Sequence, residues 1–380
     1  MKRILYFCSS FPFPVDDGIK KINVNILQDM ISKKYDITLV APYFDKNMIP
    51  EYFAHINIIF FEKNRTLFGI VANIVNLYPL YFSLYFDKKL LNINKNEFDL
   101  VFYDFYPMIQ YSSGLKNEIF MMPDSMKQLA YSNFKNEKNI IRKVYSFVNY
   151  LLSSRYNSIL NNIKKLYVSK EDIENDNLKN SYFFKIPMDN TNLDSYQNNT
   201  YSKGELLFRG VMNFEPNVTA VEKFYREIFL DLVKKYPDVR FKIVGKNPSE
   251  ELKNELTINT EITGFVDDMM DVMSKSGIHI APIYSGTGVK TKILDSISLK
   301  RLVMTTPKGI GGIFDNIKEA RDNGVIVFEN RDEFLSYYDD IMNDKIDYTQ
   351  MAQKAYDFLN RETYAKKIEE LFEIAKKEIL

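Results

Sequence analysis

The chain has 380 residues, of which 46% are hydrophobic and 26% are charged. Because a single domain usually has about 150 residues, we expect two domains, and the composition excludes a disordered or collagen-like chain. Fifty basic and fifty acidic side chains cancel to a net charge of zero, which argues against a nucleic-acid-binding protein and means that any anion site is local.

The chain begins with the apolar run RILYFCS, which predicts a buried first strand. A signal peptide is the alternative interpretation, because the start is basic, but the run is short and ends in Phe-Pro-Phe-Pro without a small-residue cleavage site. The single cysteine, Cys8, lies in this run. Since it has no partner for an internal disulfide, it fits a protein of the reducing cytoplasm.

Short apolar runs then alternate with helical patterns. In the first half the expected strands are DITLVAP, INIIFFE, DLVFYDF, EIFMMP and KLYVSK, and in the second half they are ELLFRG, VRFKIVG, EITGF, IHIAPI, RLVMTT and GVIVFE. This alternation predicts an α/β fold with two Rossmann-like, doubly wound parallel-sheet domains. Because such sheets bind ligands at the carboxyl ends of their strands, we expect a cleft between the domains.

The segment from Leu67 to Phe86 carries no charge and is long enough to span a bilayer. Asparagine, proline and serine interrupt it, and a helical pattern continues after it, so we expect helices on a domain face instead of a span. A peripheral contact with the inner face of the cell membrane stays open, with Lys88 and Lys89 at the end of the segment.

A polar, Asn-rich segment separates the two series of strands. The predicted boundaries are an N-terminal domain over 1–187, a linker over 188–203, a C-terminal domain over 204–360 and a final helix over 361–380 that returns to brace the first domain. In the C-terminal domain, Pro216 opens a helix with one apolar face. That face consists of Val218, Val221, Tyr225, Ile228 and Leu232.

The stretch SGTGVKTKILDS, residues 285–296, joins a strand to an apolar helix that we expect to start near Val289. A helix N-terminus favours negative charge, and two lysines nearby add positive charge, so the arrangement predicts a phosphate site. The alternative is an ordinary strand-turn-helix with lysines in solvent. A Walker loop is not indicated, because its upstream glycine is missing. The residues of interest here are Gly286, Thr287, Gly288, Val289, Lys290, Lys292 and Asp295.

Further residues follow the other strands of the second series, and their strand ends border the same cleft. They are Arg209, Gly210 and Asn213 after the first strand, Gly245 after the second, and Gly264, Phe265 and Val266 after the third. Asp295 lies one turn beyond Lys292, where it accepts hydrogen bonds from ribose hydroxyls in one interpretation and is a solvated helix aspartate in the other.

Taken together, these segments resemble the second domain of the retaining glycosyltransferases of family 4, which have the GT-B fold and use nucleotide sugars. The likeness is specific from Leu206 to about Phe328 and looser in the first domain. It implies that Arg209 and Lys290 or Lys292 neutralise the donor diphosphate. It also implies that the backbone near Phe265 and Val266 meets the nucleobase.

In the first domain the resemblance implies that Gly18 lets the backbone approach the donor phosphate. The usual family pair of glutamates appears here as Thr287 and Asp295, so a carboxylate toward the donor sugar is missing. The family's frequent first-domain histidine has no counterpart, and we interpret His55 and His279 as structural.

Asp104 and Asp124 each end an apolar run of the first domain. Their position at strand ends favours a catalytic role, in which either one orients the acceptor hydroxyl. A helix cap or a turn is the alternative for both residues, and for Asp124 the following Ser125 makes that alternative nearly equal.

The resemblance implies a hexosyltransferase that moves a sugar from a nucleoside-diphosphate donor to a bacterial surface glycan or lipid-linked oligosaccharide. We expect no resident cofactor and no metal, because lysine and arginine supply the positive charge. Two alternatives are a non-catalytic, glycosyltransferase-like partner subunit, which the missing carboxylate suggests, and a sugar-nucleotide epimerase of the same fold.

Overall fold

The chain divides into two compact units in the computed structural model, which describes residues 1–15, 17–137, 139–189, 196, 202–285 and 288–379. The first unit combines Met1–Ile186 with Tyr364–Leu380, and the second is Pro187–Thr363. Most of the predicted linker, residues 190–195 and 197–201, lies outside the described residues.

The first unit is built on one sheet in which every pairing is parallel. Its strands are β1 (Arg3–Phe7), β2 (Asp36–Pro42), β3 (Asn57–Phe61), β4 (Leu100–Tyr103), β5 (Glu118–Met122), β6 (Lys164–Tyr167) and β7 (Ser181–Phe183). They are arranged in the order β3-β2-β1-β4-β5-β6-β7. The apolar runs predicted all of these strands except β7, which is the edge strand.

The second unit has its own parallel sheet. Its strands are β8 (Glu205–Arg209), β9 (Arg240–Val244), β10 (Thr260–Gly264), β11 (Ile278–Ala281), β12 (Val303–Thr305) and β13 (Ile326–Val327). Their order is β10-β9-β8-β11-β12-β13. The predicted fold class, an α/β chain with two Rossmann-like parallel sheets, is therefore confirmed.

The helices connect the strands, and polar side chains mark many of their starts. They are α1 (Gly18–Ser32), α2 (Leu67–Val75), α3 (Met126–Asn136), α4 (Ile140–Leu160), α5 (Lys170–Asp176), α6 (Glu215–Phe224), α7 (Leu230–Lys235), α8 (Glu250–Glu255), α9 (Met269–Lys275), α10 (Thr291–Ser298), α11 (Ile317–Asp322), α12 (Arg331–Met342), α13 (Tyr348–Leu359) and α14 (Tyr364–Lys376). The caps that accept a hydrogen bond from the first turn include Asp17, Thr66, Ser125, Ser249, Asp268, Asn316, Asn330 and Asp347.

The helix that Pro216 opens packs its predicted apolar face into the core of the second unit. Four residues of that face are buried and Val218 packs against the same cluster. A π-helical turn, Tyr225–Phe229, separates α6 from α7. Such a turn adds a residue to the helix without ending it, and the sequence pattern did not predict it.

The helix that closes the described chain, α14, lies in the first unit. The ring of Phe372 meets that of Tyr35 edge-on, with ring centroids 5.6 Å apart. Lys164 on β6 is fully buried. Its Nζ donates to the carbonyl of Ala375 in the last turn of α14 at 2.8 Å and to that of Lys116 at 2.6 Å. A cation at this end of a helix is favourable.

Replacing Lys164 by methionine should loosen α14, because two carbonyl groups lose their donor. We expect the free energy of unfolding to fall by about 1–3 kcal/mol, with faster amide hydrogen exchange in α14. Lys376→Met is the matched control, since that lysine is on the same helix with 70% of its side chain exposed. Equal thermal midpoints for the two variants would contradict the role of Lys164.

Candidate functional site

The carboxyl ends of the strands in the second unit gather most of the predicted site residues at one edge of the sheet. Arg209 is the last residue of β8, Gly245 directly follows β9, and Phe265 directly follows β10. Because these strands are parallel neighbours, their ends meet at that edge.

Two glycines allow the backbone segments at this edge to approach closely. A Cβ atom at Gly245 would lie 1.7 Å from the carbonyl oxygen of Gly210, and one at Gly210 would lie 2.7 Å from Nδ2 of Asn217. The Gly210 amide donates to Val244 O at 2.9 Å. A side chain at Gly245 would therefore displace the backbone of the neighbouring strand end, and one at Gly210 would displace the Asn217 side chain.

Arg209 and Asp295 form an ion pair, although the resemblance implies separate roles for them. The guanidinium of Arg209 donates to the carboxylate of Asp295, which comes from α10. Only 4% of the Asp295 side chain is exposed, against 21% for Arg209. The solvated alternative for Asp295 is therefore wrong, and its carboxylate offsets one positive charge of the site.

Lys292 lies beside this pair. Its Nζ donates to Oδ1 of Asn217 at 2.7 Å and lies 4.3 Å from the ring centroid of Phe208. Burial, reinforced by the positive charges of Arg209 and Lys290, holds the pKa of Lys292 well below its usual range. The structure thus brings Arg209 and Lys290 close enough to Lys292 to disfavour the charged form of that lysine.

Lys290 occupies the N-cap position of α10, so the helix begins two residues later than predicted. Its Nζ donates to the carbonyl of Gly288 at 3.1 Å. Among the described residues, no side chain caps the first turn of α10. Gly286 and Thr287 lie outside the described residues, while Gly288 has a φ of 72° in the turn before Val289. The arrangement favours an anion at this helix start.

Three further predicted residues lie in the loops of this edge. Asn213 is exposed in the turn after β8. The side chain of Phe265 is 73% exposed, whereas Val266 packs against the apolar cluster that contains Val244. An exposed aromatic ring at the same edge of the sheet is suited to stack on a planar ring.

Sequence reasoning missed Asn217 and Phe208, the two direct contacts of Lys292. Asn217 is buried, and its Nδ2 donates to Val211 O at 3.0 Å. A polar residue at the start of the helix, on the side of its apolar face, was the signal that could have found it.

His279 lies in β11 and is buried beneath α10, as expected for a structural residue. Its Nδ1 is 2.7 Å from Oγ of Ser296 and its Nε2 is 3.0 Å from the carbonyl of Met273. Burial lowers the pKa of His279 to about 3, against the opposing effect of the Met273 hydrogen bond. His55 is exposed in the turn before β3.

In the first unit, Asp104 is fully buried at the end of β4. Its Oδ1 accepts from the Ser9 amide at 2.8 Å, and its Oδ2 accepts from Asn23 Nδ2 at 2.8 Å and from Ser9 Oγ at 3.2 Å. Burial raises the pKa of Asp104 to about 7. The carboxyl group therefore holds the loop after β1 to helix α1, and its burial does not support contact with an acceptor.

Asp124 is partly exposed two residues after β5. The helix cap expected as its alternative role belongs to Ser125, whose Oγ accepts from the Gln128 amide at 3.2 Å. The carboxyl of Asp172 is buried close by, and burial followed by the charge of Asp124 raises the pKa of Asp172 to about 6. Asp124 is thus the accessible member of an acidic pair.

Gly18 is the first residue of α1 in the first unit. It follows Asp17, whose Oδ1 accepts from the Lys20 amide at 2.8 Å. Within the described ranges, His, Cys, Asp and Glu side chains do not gather in groups of three or more that could hold a metal ion. Among the helices that the structure describes, none has both the length and the apolar character needed to cross a bilayer.

Comparison with known proteins finds a family match over the region that carries this site. Residues 203–344 match the family described as glycosyl transferases group 1. A Klebsiella pneumoniae protein, described as an uncharacterized 44.6 kDa protein in the cps region, is 22% identical over 395 residues, covering 97% of this chain and 98% of its own length.

Solved structures share the whole fold. TarM covers 99% of both chains with a TM-score of 0.69 and 9% identity. WaaG, a glycosyltransferase involved in lipopolysaccharide biosynthesis, covers 98% of this chain and 99% of its own with a TM-score of 0.64 and 14% identity. Anabaena Alr3699/HepE, in complex with UDP and glucose, covers 98% and 100% with a TM-score of 0.63 and 13% identity. These structures show that the chain has the GT-B fold.

The buried histidine predicts a specific pH dependence of stability. Its pKa falls from 6.5 in the unfolded chain to about 3 in the folded chain, so the unfolded state takes up a proton as the pH drops below 6.5. Stability is therefore lost with falling pH. Between pH 7 and pH 5, the free energy of unfolding should fall by about 2 kcal/mol less in His279→Gln than in the wild type. Urea unfolding at the two pH values measures the difference.

His55→Gln is the control for this measurement, because His55 is exposed. Its unfolding free energy should follow the wild type at both pH values. If His279→Gln also follows the wild type, the account of a neutral, buried histidine is wrong.

Proposed function

We propose that this protein is a retaining glycosyltransferase, similar to family 4, that transfers a hexose from a nucleoside-diphosphate sugar to a hydroxyl group. The observation that carries the proposal is the convergence of Arg209, Lys290 and Lys292 at the start of α10, inside the region that matches glycosyl transferases group 1. A diphosphate is the anion that best fits several cations and a helix N-terminus together.

The proposed role of the site in the reaction is electrostatic stabilisation. As the donor bond breaks, negative charge builds on the oxygen that links sugar and diphosphate, and fixed cations stabilise that charge more than they stabilise the ground state. A bound diphosphate also restores a favourable partner to Lys292, whose pKa is held down by burial and by its cationic neighbours. The proposal needs no metal, because these side chains supply the positive charge.

The ion pair of Arg209 and Asp295 gives the donor site a second element. Asp295 holds the guanidinium beside the position proposed for the phosphates. Binding of a ribose hydroxyl by Asp295 requires this pair to loosen, since the carboxylate is almost fully buried. Phe265, whose ring is exposed after β10, is the side chain that we propose to stack on the base.

The acceptor is proposed by analogy. WaaG is involved in lipopolysaccharide biosynthesis, and the Klebsiella protein is in a cps region. We therefore propose a bacterial surface glycan or a lipid-linked oligosaccharide as acceptor, with Asp124 as the carboxylate that orients its hydroxyl and with a cytoplasmic location. Asp104 acts through Ser9 and Asn23 as a positioning residue in this scheme.

A second candidate function is a non-catalytic subunit that binds a partner transferase. Thr287 favours it, because the resemblance implies a glutamate there. Product formation by the isolated chain decides between the two: transfer or hydrolysis of a sugar nucleotide excludes the subunit, while binding without turnover excludes the enzyme.

Calorimetric titration with UDP, GDP, ADP and dTDP tests the donor site. We expect one of them to bind and the same base to be required for turnover of the sugar nucleotide. Binding of none would contradict both candidate functions.

Lys290→Ala should lower turnover by roughly a hundredfold, as removal of one preorganised charge does in other enzymes, while circular dichroism stays unchanged. Lys275→Ala is the matched control, because Lys275 is an exposed lysine of the same unit that pairs with Asp271 on α9. A folded Lys290→Ala protein with wild-type turnover would remove Lys290 from the mechanism.

A further inference from the structure

Helix α2 has its apolar residues on the side that a water-soluble protein normally makes polar. The exposed fractions of Leu67, Phe68, Val71, Ile74 and Val75 run from 50% to 79%. The buried residues of the helix are instead Gly69 and Asn73. This is the reverse of the amphipathic pattern of a surface helix.

The inward side of α2 is fitted closely to the rest of the first unit. A Cβ atom at Gly69 would lie 3.2 Å from Cβ of Phe86 and 3.3 Å from the carbonyl of Ser83. The side chain of Asn73 donates to Pro79 O at 3.4 Å. The packing of this side fixes the helix with its apolar side facing out.

The first half of α4 repeats the arrangement. Ile140, Val144, Phe147 and Leu151 are exposed at spacings of four, three and four residues, so they form one stripe, and Ile141 beside them is 78% exposed. A solvent-facing stripe of this kind marks an interaction site.

The two helices belong to one continuous surface. The guanidinium of Arg65, just before α2, donates to the hydroxyl of Tyr145 on α4 at 3.4 Å. The Leu80 amide, just after α2, donates to Oδ1 of Asn149 on α4 at 2.8 Å. We call the exposed apolar residues of this region the α2–α4 surface. It consists of Leu67, Phe68, Val71, Ile74, Val75, Ile140, Ile141, Val144, Phe147 and Leu151.

Basic residues outnumber acidic ones in the segments that carry the α2–α4 surface, and the acidic residues Glu62, Asp87 and Glu137 flank those segments. There is no acidic residue in 63–86 or in 138–170. Arg65, Lys88, Lys89 and Arg142 are exposed, and Nζ of Lys88 lies 5.7 Å from the ring centroid of Phe68. The chain as a whole is neutral, so this excess of basic residues is local.

We propose that the α2–α4 surface docks the protein flat on an anionic phospholipid bilayer. Helix α2 has nine residues and is about 13 Å long, well short of a bilayer core of about 30 Å, so its apolar side enters only the interface. Basic residues at the rim of an apolar patch suit lipid phosphates, which supply negative charge directly above acyl chains. This inference does not depend on glycosyl transfer.

Flotation of the full chain with vesicles tests the proposal. We expect binding to phosphatidylcholine vesicles that contain about 30% phosphatidylglycerol, little binding to phosphatidylcholine alone, and weaker binding in about 0.5 M NaCl. An apolar variant, Val71→Ser with Ile141→Ser, and a charge variant, Lys89→Ser with Arg142→Ser, should each lower the bound fraction at least about fivefold. These side chains are exposed, so the variants should fold.

The control carries the same kinds of substitution in the second unit, Ile258→Ser with Lys318→Ser, at exposed positions outside the surface. It should bind as the wild type does. Equal binding by all variants, or no flotation with anionic vesicles, overturns the proposal. One further result would also overturn it: the wild type is a dimer in sedimentation velocity, the apolar variant is a monomer, and neither binds lipid. That result would assign the surface to a second copy of the chain.

Discussion

The candidate site depends on a partly buried lysine, Lys292, that lies close to two other basic side chains at one helix start. Burial, and after it the positive charges of Arg209 and Lys290, hold the pKa of Lys292 well below its usual range. Like charges in a partly buried place cost free energy, and one carboxylate, Asp295, offsets only part of that cost. Because the positive charges are held in place before a ligand binds, the site is preorganised for an anion.

The surrounding structure keeps Arg209 and Lys292 in place, and the histidine beneath them carries no positive charge. Gly245 allows the ends of β8 and β9 to approach closely, and Asp295 pairs with Arg209 from α10. Asn217 holds the ammonium group of Lys292. His279 lies beneath the same helix and stays neutral, because burial lowers its pKa to about 3. A protonated imidazole there would add to the repulsion that Lys292 already experiences.

The local pattern of apolar and polar residues in the sequence predicted much of the fold and of the candidate site. Apolar runs with turns between them marked the strands of both sheets, and the residues at their carboxyl ends followed from the parallel topology. The edge strand β7 was not predicted, because Ser181–Phe183 is three residues long and only partly buried. The ion pair of Arg209 with Asp295 joins residues 86 positions apart, and no spacing rule specifies such a contact.

An aspartate that ends an apolar run fits a cleft or an anchored loop equally well, and only packing showed that Asp104 is the anchor. The direction in which α2 faces is likewise a property of packing, since the sequence predicted only helices on a domain face and left a contact with the membrane open.

The two units thus carry features of different kinds, a cationic pocket edge in the second and an apolar, basic-rimmed surface in the first. The most direct test of the central claim is a crystal structure of the protein with a bound nucleoside diphosphate. The account predicts phosphoryl oxygens within hydrogen-bond distance of the guanidinium of Arg209 and of the ammonium groups of Lys290 and Lys292. A nucleotide bound elsewhere, with Lys292 still on Asn217 and Lys290 still on Gly288, would contradict it.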